Sequence, residues 1–172
     1  GKRANYPRFY RQALKKLAKE QRILSRRKKG SNRWHKQRLK VANLHEKVVN
    51  QRRDFLHKLS HHLASKYDCV VVEDLNMKGM SQALHFGKSV TDNAWGMFTT
   101  FLQYKLEEQG KKLIKIDKWF PSSKTCSCCG RVKESLSLSE RTFRCDCGFV
   151  ADRDWNASIN IKHEGLRLLG LV

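Results

Sequence analysis

The 172-residue sequence lacks an apolar run long enough to cross a membrane, because charged residues make up 30% of the chain and interrupt its apolar stretches. Its basic beginning also lacks the apolar core of a signal peptide. We therefore expect a cytoplasmic (cytosolic) or nuclear location and no membrane partner. In a reducing compartment, clustered cysteines bind metal more often than they form disulfides.

Acidic residues are scarce in the first part of the chain. Residues 1–66 carry 21 Lys and Arg against three acids, a net charge of +18, whereas residues 67–172 carry 15 against 13, a net charge of +2. A plain solvated surface is the alternative, but solubility alone does not need +18 on 66 residues. The asymmetry predicts a polyanionic partner, most often nucleic acid, bound by the basic face of residues 1–66.

Two helical patterns account for this basic part. The first runs from Phe9 to Lys28, and the Lys28–Asn32 break follows it, with Ser31 as a candidate cap of the next helix. The second runs from Arg33 to Lys66, and its apolar residues recur at helical spacing: Val41, Leu44, Val48, Phe55, Leu59 and Leu63. The sequence predicts a basic helical hairpin with a narrow apolar seam.

The apolar period changes at Cys69. Cys69–Val72 is a short β-branched run that predicts a buried strand, with Cys69 as an ordinary buried thiol and Glu73-Asp74 at its end. Residues 75–90 are loop-like. A helix capped by Thr91 or Asp92 and a strand at Lys112–Asp117 follow. This strand–helix–strand order predicts parallel pairing, and ligands of open α/β sheets bind at the carboxyl ends of such strands.

The tryptophans divide into two predicted roles. Trp95 and Trp155 lie in helical patterns and are expected in the core, although stacking on bases is the alternative. Trp119, in a Lys-Trp-Phe run before Pro121, is the better candidate for an exposed aromatic contact. The last helix is predicted from Trp155 to Leu169, and its core candidates are Ala157, Ile161 and Leu168.

Four cysteines have the spacing of a zinc site. Cys126 and Cys129 form a C-x2-C pair, Cys145 and Cys147 form a C-x-C pair, and 15 residues separate the pairs. Two close thiolate pairs with glycines after them are typical of a structural zinc ribbon. Cys128 is the alternative to Cys129, since it would make a second C-x-C pair with Cys126.

Two carboxylates lie at positions where a hard metal ion could bind. Glu73 ends one strand, and Asp154 begins a helix directly after the cysteines. Oxygen ligands suit Mg²⁺, and two such ions about 4 Å apart can activate water and stabilise the leaving oxygen in phosphodiester cleavage. A helix-starting Asp is also common as a plain N-cap, so Asp152 or Asp154 could have only that role.

Three segments resemble the OrfB/TnpB family of transposon-encoded, RNA-guided DNA endonucleases, which are related to compact type V CRISPR effectors. The segments are VVVEDLNMKGM (70–80), KWFPSSKTCSCCG (118–130) and CDCGFVADRDWNASINI (145–161). The resemblance implies an α/β, RNase H-like (RuvC-like) nuclease fold with a zinc-ribbon insertion. It implies Glu73 and Asp154 as catalytic, Mg-binding carboxylates, with Asp152 second to Asp154. It also implies DNA and guide RNA as partners and a prokaryotic cytosol or nucleoid as the location.

One family motif does not occur in these residues. The first catalytic Asp of the family lies in a motif like G-I-D-x-G, whereas the acids before Tyr67 are Glu20, Glu46 and Asp54, all in basic helical patterns. We therefore expect a C-terminal portion that does not cut DNA by itself. The alternative is a non-catalytic zinc-ribbon binding or regulatory fragment. The predicted segments are a basic hairpin (1–66), the first nuclease segment (67–122), a zinc ribbon (123–149) and a final nuclease helix (150–172).

Overall fold

A computed structural model describes residues 7–75, 94–137 and 139–171. The elements in chain order are α1 (Phe9–Ser25), α2 (Asn32–Lys66), β1 (Cys69–Glu73), α3 (Trp95–Glu107), β2 (Lys112–Ile116), β3 (Thr142–Arg144), β4 (Val150–Asp152) and α4 (Arg153–Leu168). Among the described residues, no helix combines the length and apolar character needed to cross a membrane.

The described chain forms two compact units. Residues 7–66 and 94–109 make the first, which we call the helical unit, and residues 67–75 and 110–171 make the second, which we call the sheet unit. Helix α3 therefore belongs with the basic helices, although it lies between the two parallel strands in the sequence. The four segments expected from sequence divide the chain by function, and that division stays a prediction.

In the helical unit, α1 and α2 pack along an apolar seam that buries Leu17, Val41 and Val48. Ser31 directly precedes α2, and its hydroxyl accepts a hydrogen bond from the Trp34 N–H (3.2 Å) in the first turn. This bond confirms the predicted cap. Helix α1 ends at Ser25, three residues before the predicted Lys28.

The seam of α2 shifts by one residue in its C-terminal half. Leu56, Ser60 and Ala64 are buried there, whereas the predicted set of Phe55, Leu59 and Leu63 is half-buried. The reason is α3, which packs on the same half of α2 and buries its own apolar residues, Phe98, Leu102 and Leu106. A helix that contacts two neighbours buries a face set by both, which the periodicity of one helix cannot show.

Polar contacts also join α2 and α3. The His57 ring stacks on Phe101 with centroids 3.8 Å apart. Lys105 Nζ donates hydrogen bonds to the His57 carbonyl (2.6 Å) and the Ser60 hydroxyl (2.9 Å). These contacts satisfy the buried hydroxyl of Ser60, whose burial would otherwise cost free energy.

In the sheet unit, β1 and β2 pair in parallel, with Cys69 opposite Lys112 and Glu73 opposite Ile116. The predicted strand pairing is therefore confirmed. Strands β3 and β4 pair antiparallel, and α4 packs against all four strands. Cys69 lies on β1 and is half-buried, and burial raises the pKa of its thiol.

The buried face of α4 differs from the predicted one. Asn156, Asn160 and Gly165 are buried, while Leu168 is 52% exposed and Ala157 and Ile161 are only half-buried. A Cβ added at Gly165 would lie 2.3 Å from Val71 Cγ2, so a side chain at this position would keep the helix away from β1.

The tryptophans divide differently from the sequence prediction. Trp155 is 43% exposed, so its assignment to the core is wrong, because the neighbouring Asn156 occupies the inner face of α4. Trp95 is half-buried, and Trp119 is 80% exposed, as expected for an aromatic contact. The predicted loop beyond Leu75 and the predicted caps Thr91 and Asp92 lie outside the described residues.

Candidate metal centre

The two cysteine pairs lie on backbone turns of the same design. In the first turn, the Cys126 N–H donates to Arg131 O and the Gly130 N–H to Cys126 O, both at 2.9 Å. In the second, the Cys145 N–H donates to Phe149 O and the Gly148 N–H to Cys145 O, again at 2.9 Å. The second turn is one residue shorter, which matches its C-x-C spacing.

Glycine closes both turns because the backbone there enters the left-handed region. Gly130 has φ of 75° and Gly148 has φ of 89°. L-residues with a Cβ rarely adopt these angles. The glycine after each cysteine pair therefore lets the chain reverse direction and bring both sulfur atoms to one side.

The four predicted sulfur ligands come together. The Sγ atoms of Cys126 and Cys147 are 3.8 Å apart, those of Cys129 and Cys145 are 3.6 Å apart, and all four lie within 4.8 Å of one another. A zinc tetrahedron with bonds of ~2.3 Å has sulfur–sulfur edges of about 3.8 Å. Cys128 is exposed and outside this group. The geometry therefore fits the predicted ligand set rather than the alternative with Cys128.

The electrostatics of the cluster favour thiolate at one position. Burial opposes ionisation of Cys126, but N–H groups of Cys129 and Cys128 and contacts with neighbouring thiols outweigh it and lower the pKa of Cys126 to about 7. At Cys147, the Phe149 N–H favours the thiolate, but burial and the three neighbouring sulfurs prevail and raise its pKa to about 12. Four sulfurs this close cannot all ionise without a cation between them, which is what a zinc ion supplies.

A pair of buried asparagines fixes the loop that leads to the cluster. Asn156 donates from Nδ2 to Thr125 O (2.7 Å) and accepts at Oδ1 from the Ser127 N–H (3.0 Å). Asn160, one turn later on α4, donates from Nδ2 to Ser122 O (2.8 Å) and to Thr125 O (2.7 Å). These bonds hold residues 122–127, including the ligand Cys126, against the helix.

Glu73 is connected to this same loop. The Ser122 hydroxyl donates to Glu73 Oε1 (2.5 Å), and Ser122 itself is 7% exposed. A hydrogen-bond path therefore runs from the carboxylate at the end of β1, through Ser122 and Asn160, to the loop that carries Cys126. It lies within the sheet unit throughout.

The two acids at the start of α4 have different roles. Asp152 is the N-cap, because its Oδ1 accepts from the Asp154 N–H (3.0 Å) and the Trp155 N–H (3.1 Å). The Asp154 side chain is 58% exposed, with its Oδ1 3.8 Å from Arg153 Nε. The capping alternative considered for both acids therefore applies to Asp152.

The contacts of α4 also give its direction relative to β1. Gly165 meets Val71 in the middle of the strand, and Asn160 reaches Glu73, at the end of the strand, through Ser122. The helix therefore runs antiparallel to β1. At 100° per residue, Asp154 lies within about 20° of Gly165 around the helix, on the face that meets the sheet. The N-terminus of α4 and the carboxyl end of β1 thus lie on the same side of the unit.

The helical unit presents cations densely. Every described Lys and Arg of residues 7–66 is exposed except Arg52. Residues 21–45, which we call the hairpin tip, contain nine Lys and Arg and no acid. Arg38 also lies 5.8 Å from the centre of the Trp34 ring. The charged side chains of the hairpin tip are therefore all cationic, and the Trp34 ring lies beside one of them.

Sequence reasoning missed three residues of this site: Ser122, Asn156 and Asn160. One signal was available for the asparagines. They are four residues apart, so they share a helix face, and polar residues on that face indicate buried backbone groups that need partners. The signal does not say which loop they hold.

Two family models match the chain. Residues 1–84 match the OrfB model, described as "Probable transposase", and residues 95–161 match the model described as "Cas12f1-like, TNB domain". A solved Cas12f1 chain, from a complex with sgRNA and target DNA, matches 87% of this chain and 40% of its own length with a TM-score of 0.61 and 22% identity. That likeness shows a shared fold.

Relatives match nearly the whole chain. A Streptomyces pristinaespiralis protein, provisionally named an RNA-guided DNA endonuclease, is 42% identical over 96% of this chain and 41% of its own length. InsQ of Escherichia coli strain K12, provisionally named in the same way, is 32% identical over 90% of this chain and 42% of its own length. TnpB-like protein L79 of Acanthamoeba polyphaga mimivirus is 32% identical over 83% of this chain and 27% of its own length.

The chain spans about two fifths of the length of the first two relatives. Both parts of the chain are nevertheless matched, the basic helices by the first family model and the cysteine region by the second. On these matches and the three motifs, the chain belongs to the OrfB/TnpB family.

Proposed function

We propose that this chain forms part of an RNA-guided, Mg²⁺-dependent DNA endonuclease, in which the basic helices bind nucleic acid and Glu73 and Asp154 are catalytic carboxylates. The observation that carries the proposal is the antiparallel packing of α4 on β1. It brings the N-terminus of the helix and the carboxyl end of the strand, which carry the two acids, to one side of the sheet unit.

Zinc has a structural role in this proposal. Cys126, Cys129, Cys145 and Cys147 would hold one ion, and all four positions are taken by protein sulfur, which leaves none open for a reacting water. Through Asn156 and Asn160 the cluster is joined to the loop that contacts Glu73. The zinc site therefore supports the place where the chemistry occurs and takes no part in it.

Glu73 and Asp154 would hold Mg²⁺, which, when bound, activates water and stabilises the leaving oxygen of a phosphodiester. The donor set fits, because both side chains offer carboxylate oxygens. Ser122 donates to one oxygen of Glu73 and so helps to fix the orientation of the carboxylate. Asp152 is the helix cap, and the family resemblance assigns the catalytic role to Asp154.

The RNase H-like arrangement of the whole nuclease domain is part of the proposal. It is supported by the parallel pair β1–β2 with α4 on it and by the likeness to the Cas12f1 fold. Two carboxylates are fewer than the family's three, so we propose that these 172 residues do not cleave DNA unaided. The non-catalytic binding fragment is the competing function and predicts no cleavage under any reconstitution.

The test is a cleavage assay with guide RNA, target DNA and Mg²⁺. It compares the 172 residues alone with the same residues joined to an upstream RuvC segment that carries the first Asp. We expect cleavage only from the joined protein, and its loss in Glu73→Gln and in Asp154→Asn. Asp152→Asn is the matched control, since it keeps a capping oxygen and should keep cleavage.

RNA and DNA binding by each variant should stay within about twofold of the parent protein, which separates chemistry from folding. Full cleavage by either catalytic variant, or guide-independent cleavage by the 172 residues alone, would contradict the proposal.

Nucleic-acid binding by the helical unit has its own test. Changing Arg27, Lys28 and Lys29 in the hairpin tip to Gln should weaken binding and reduce the slope of log affinity against log salt, because three phosphate contacts are lost. Lys58→Gln is the control, since Lys58 is already paired with Asp54 at 2.7 Å. Equal salt slopes for the triple variant and the parent would contradict this assignment.

A further inference from the structure

The most exposed large apolar side chain among the described residues is an indole near the end of a strand. Trp119 is 80% exposed and follows β2 by three residues. Lys118 Nζ lies 5.2 Å from the centre of its ring. An indole left in water forgoes the favourable transfer that burial would give, so its display at a defined position suggests a partner with an apolar, flat face.

The backbone that carries Trp119 is held by successive hydrogen bonds. Asp117 Oδ1 accepts from the Trp119 N–H (2.6 Å), and Asp117 O accepts from the Phe120 N–H (3.1 Å). The next turn closes when Pro121 O accepts from the Lys124 and Thr125 N–H groups, both at 3.0 Å. The indole is therefore displayed on an ordered turn, which lowers the entropy cost of stacking on it.

The position of the turn connects the indole to Glu73. Trp119 is three residues from Ser122, so the Cα atoms of Trp119 and Ser122 are at most about 11 Å apart. The Ser122 hydroxyl in turn donates to Glu73. The surrounding sequence is basic: residues 110–134 contain seven Lys and Arg against two acids. An aromatic face among cations is the combination that binds single-stranded nucleic acid through base stacking and phosphate attraction.

We propose that Trp119 is a stacking platform for an unpaired base of a DNA strand that passes Glu73, with Lys118 attracting the adjoining phosphate. The identity of the strand as substrate rests on the proposed function, but the stacking itself does not. A paired base in a duplex already stacks on its neighbours and has no free face for the indole. The platform therefore selects single-stranded over double-stranded DNA at this side of the sheet unit.

The test measures binding of the full, zinc-loaded chain in a buffer without Mg²⁺ and without chelator, where no cleavage occurs, to a labelled oligothymidylate and to a blunt DNA duplex of equal phosphate number. Trp119→Ala should weaken binding of the single strand about 5- to 150-fold, the effect of losing one stacked base. Its binding of the duplex should change less than twofold. Trp119→Phe, which keeps an aromatic face, should recover most of the single-strand affinity.

Salt separates stacking from charge. The loss in Trp119→Ala should be nearly the same at low and high salt, whereas the smaller loss in Lys118→Gln should shrink as salt rises. Leu168→Ala, at another exposed apolar side chain of the sheet unit, is the control and should bind both DNAs like the parent.

Unchanged single-strand binding by Trp119→Ala, or an equal loss on both DNAs, would overturn the platform. Either result leaves the cleavage test of Glu73 and Asp154 unaffected, so failure of this inference is distinguishable from failure of the proposed function. Zinc content and thermal unfolding of each variant establish that a loss of binding is not a loss of fold.

Discussion

The helical unit and the sheet unit are stabilised by different means. Of the twelve buried apolar side chains in the described part of the chain, eight lie in the helical unit, where Leu, Val, Ala and Phe on three helices form the core. The sheet unit buries Val72, Ile116, Phe143 and the ligand Cys126, together with three polar side chains. Hydrophobic burial accounts for the first, whereas the second relies on hydrogen bonds from two asparagines and, as we propose, on a zinc ion held by four thiolates.

The difference follows from what each unit must do. Residues 1–66 carry +18, and long helices can present that charge outward while a narrow apolar stripe remains inside. In the proposed function the sheet unit must also keep Glu73 and Asp154 accessible to DNA, which limits how much apolar surface it can bury. Metal and buried amides fix loops at short range without a large core.

Loss of one zinc ligand should have the largest effect. Cys145→Ser should reduce bound zinc from one ion per chain to nearly none and unfold the segment of residues 123–152, because so short a segment has almost no core of its own. Elemental analysis measures the zinc. Cys128→Ser is the matched control and should keep the ion, since Cys128 lies outside the sulfur cluster. Zinc lost from Cys128→Ser and kept in Cys129→Ser would reverse the ligand assignment.

Two glycines give the next largest contrast. Gly165→Ala should destabilise the sheet unit by about 1–3 kcal/mol, because its Cβ would lie 2.3 Å from Val71 Cγ2. Gly96→Ala, on α3 of the helical unit with nothing within 4 Å, should be neutral or stabilise by up to about 1 kcal/mol. Chemical denaturation of both variants measures the difference. Equal effects would mean that α4 does not pack against β1 as closely as described.

Buried amides in the two units should also differ. Asn160→Ala leaves the Ser122 carbonyl without this donor, at a cost of about 1–3 kcal/mol, while the Thr125 carbonyl keeps its bond from Asn156. Gln37→Ala in the helical unit should cost less. Its partner, Glu20, is only half-buried, so water can replace the lost bonds. Chemical denaturation measures the unfolding free energy of both variants. A larger loss in Gln37→Ala than in Asn160→Ala would contradict this prediction.

The smallest effect concerns pH and His57. Burial, followed by the positive charges of Lys105 and Arg53, lowers the pKa of His57 below its ordinary 6.5. The unfolded chain therefore binds this proton more readily, so His57 costs stability as pH falls through 6.5. Melting curves between pH 7 and pH 5 should show a smaller loss in His57→Phe, which keeps the stack on Phe101. An identical loss in both proteins would show that His57 does not contribute.

Much of this architecture could be predicted from sequence because its signals are local. The spacing of the cysteines is set by the turns that carry them, and the parallel pairing follows from the strand–helix–strand order. The register of α2 could not be predicted, because α3 lies about thirty residues further on and adds a second face. Asn156 and Asn160 could not be placed either, because their partners belong to a loop that the sequence does not position.

Asp152 and Asp154 show the same limit at the candidate site. Both lie at the start of a helix, and from the sequence alone either carboxylate could accept a hydrogen bond from a backbone N–H as the N-cap. Only the geometry shows that Asp152 is the cap, with bonds to the Asp154 and Trp155 N–H groups. The family resemblance favoured Asp154 as catalytic, and its role in cleavage stays a prediction for the assay described above.

Hydrogen exchange before and after zinc chelation tests most directly the claim that the two units are stabilised by different means. We expect the amides of residues 110–171, above all those of β3, β4 and the loop around Cys126, to lose protection when zinc is removed. We expect the amides of α1 and α2 to keep theirs within a factor of about two. Equal loss in both units, or no loss in the sheet unit, would contradict the account.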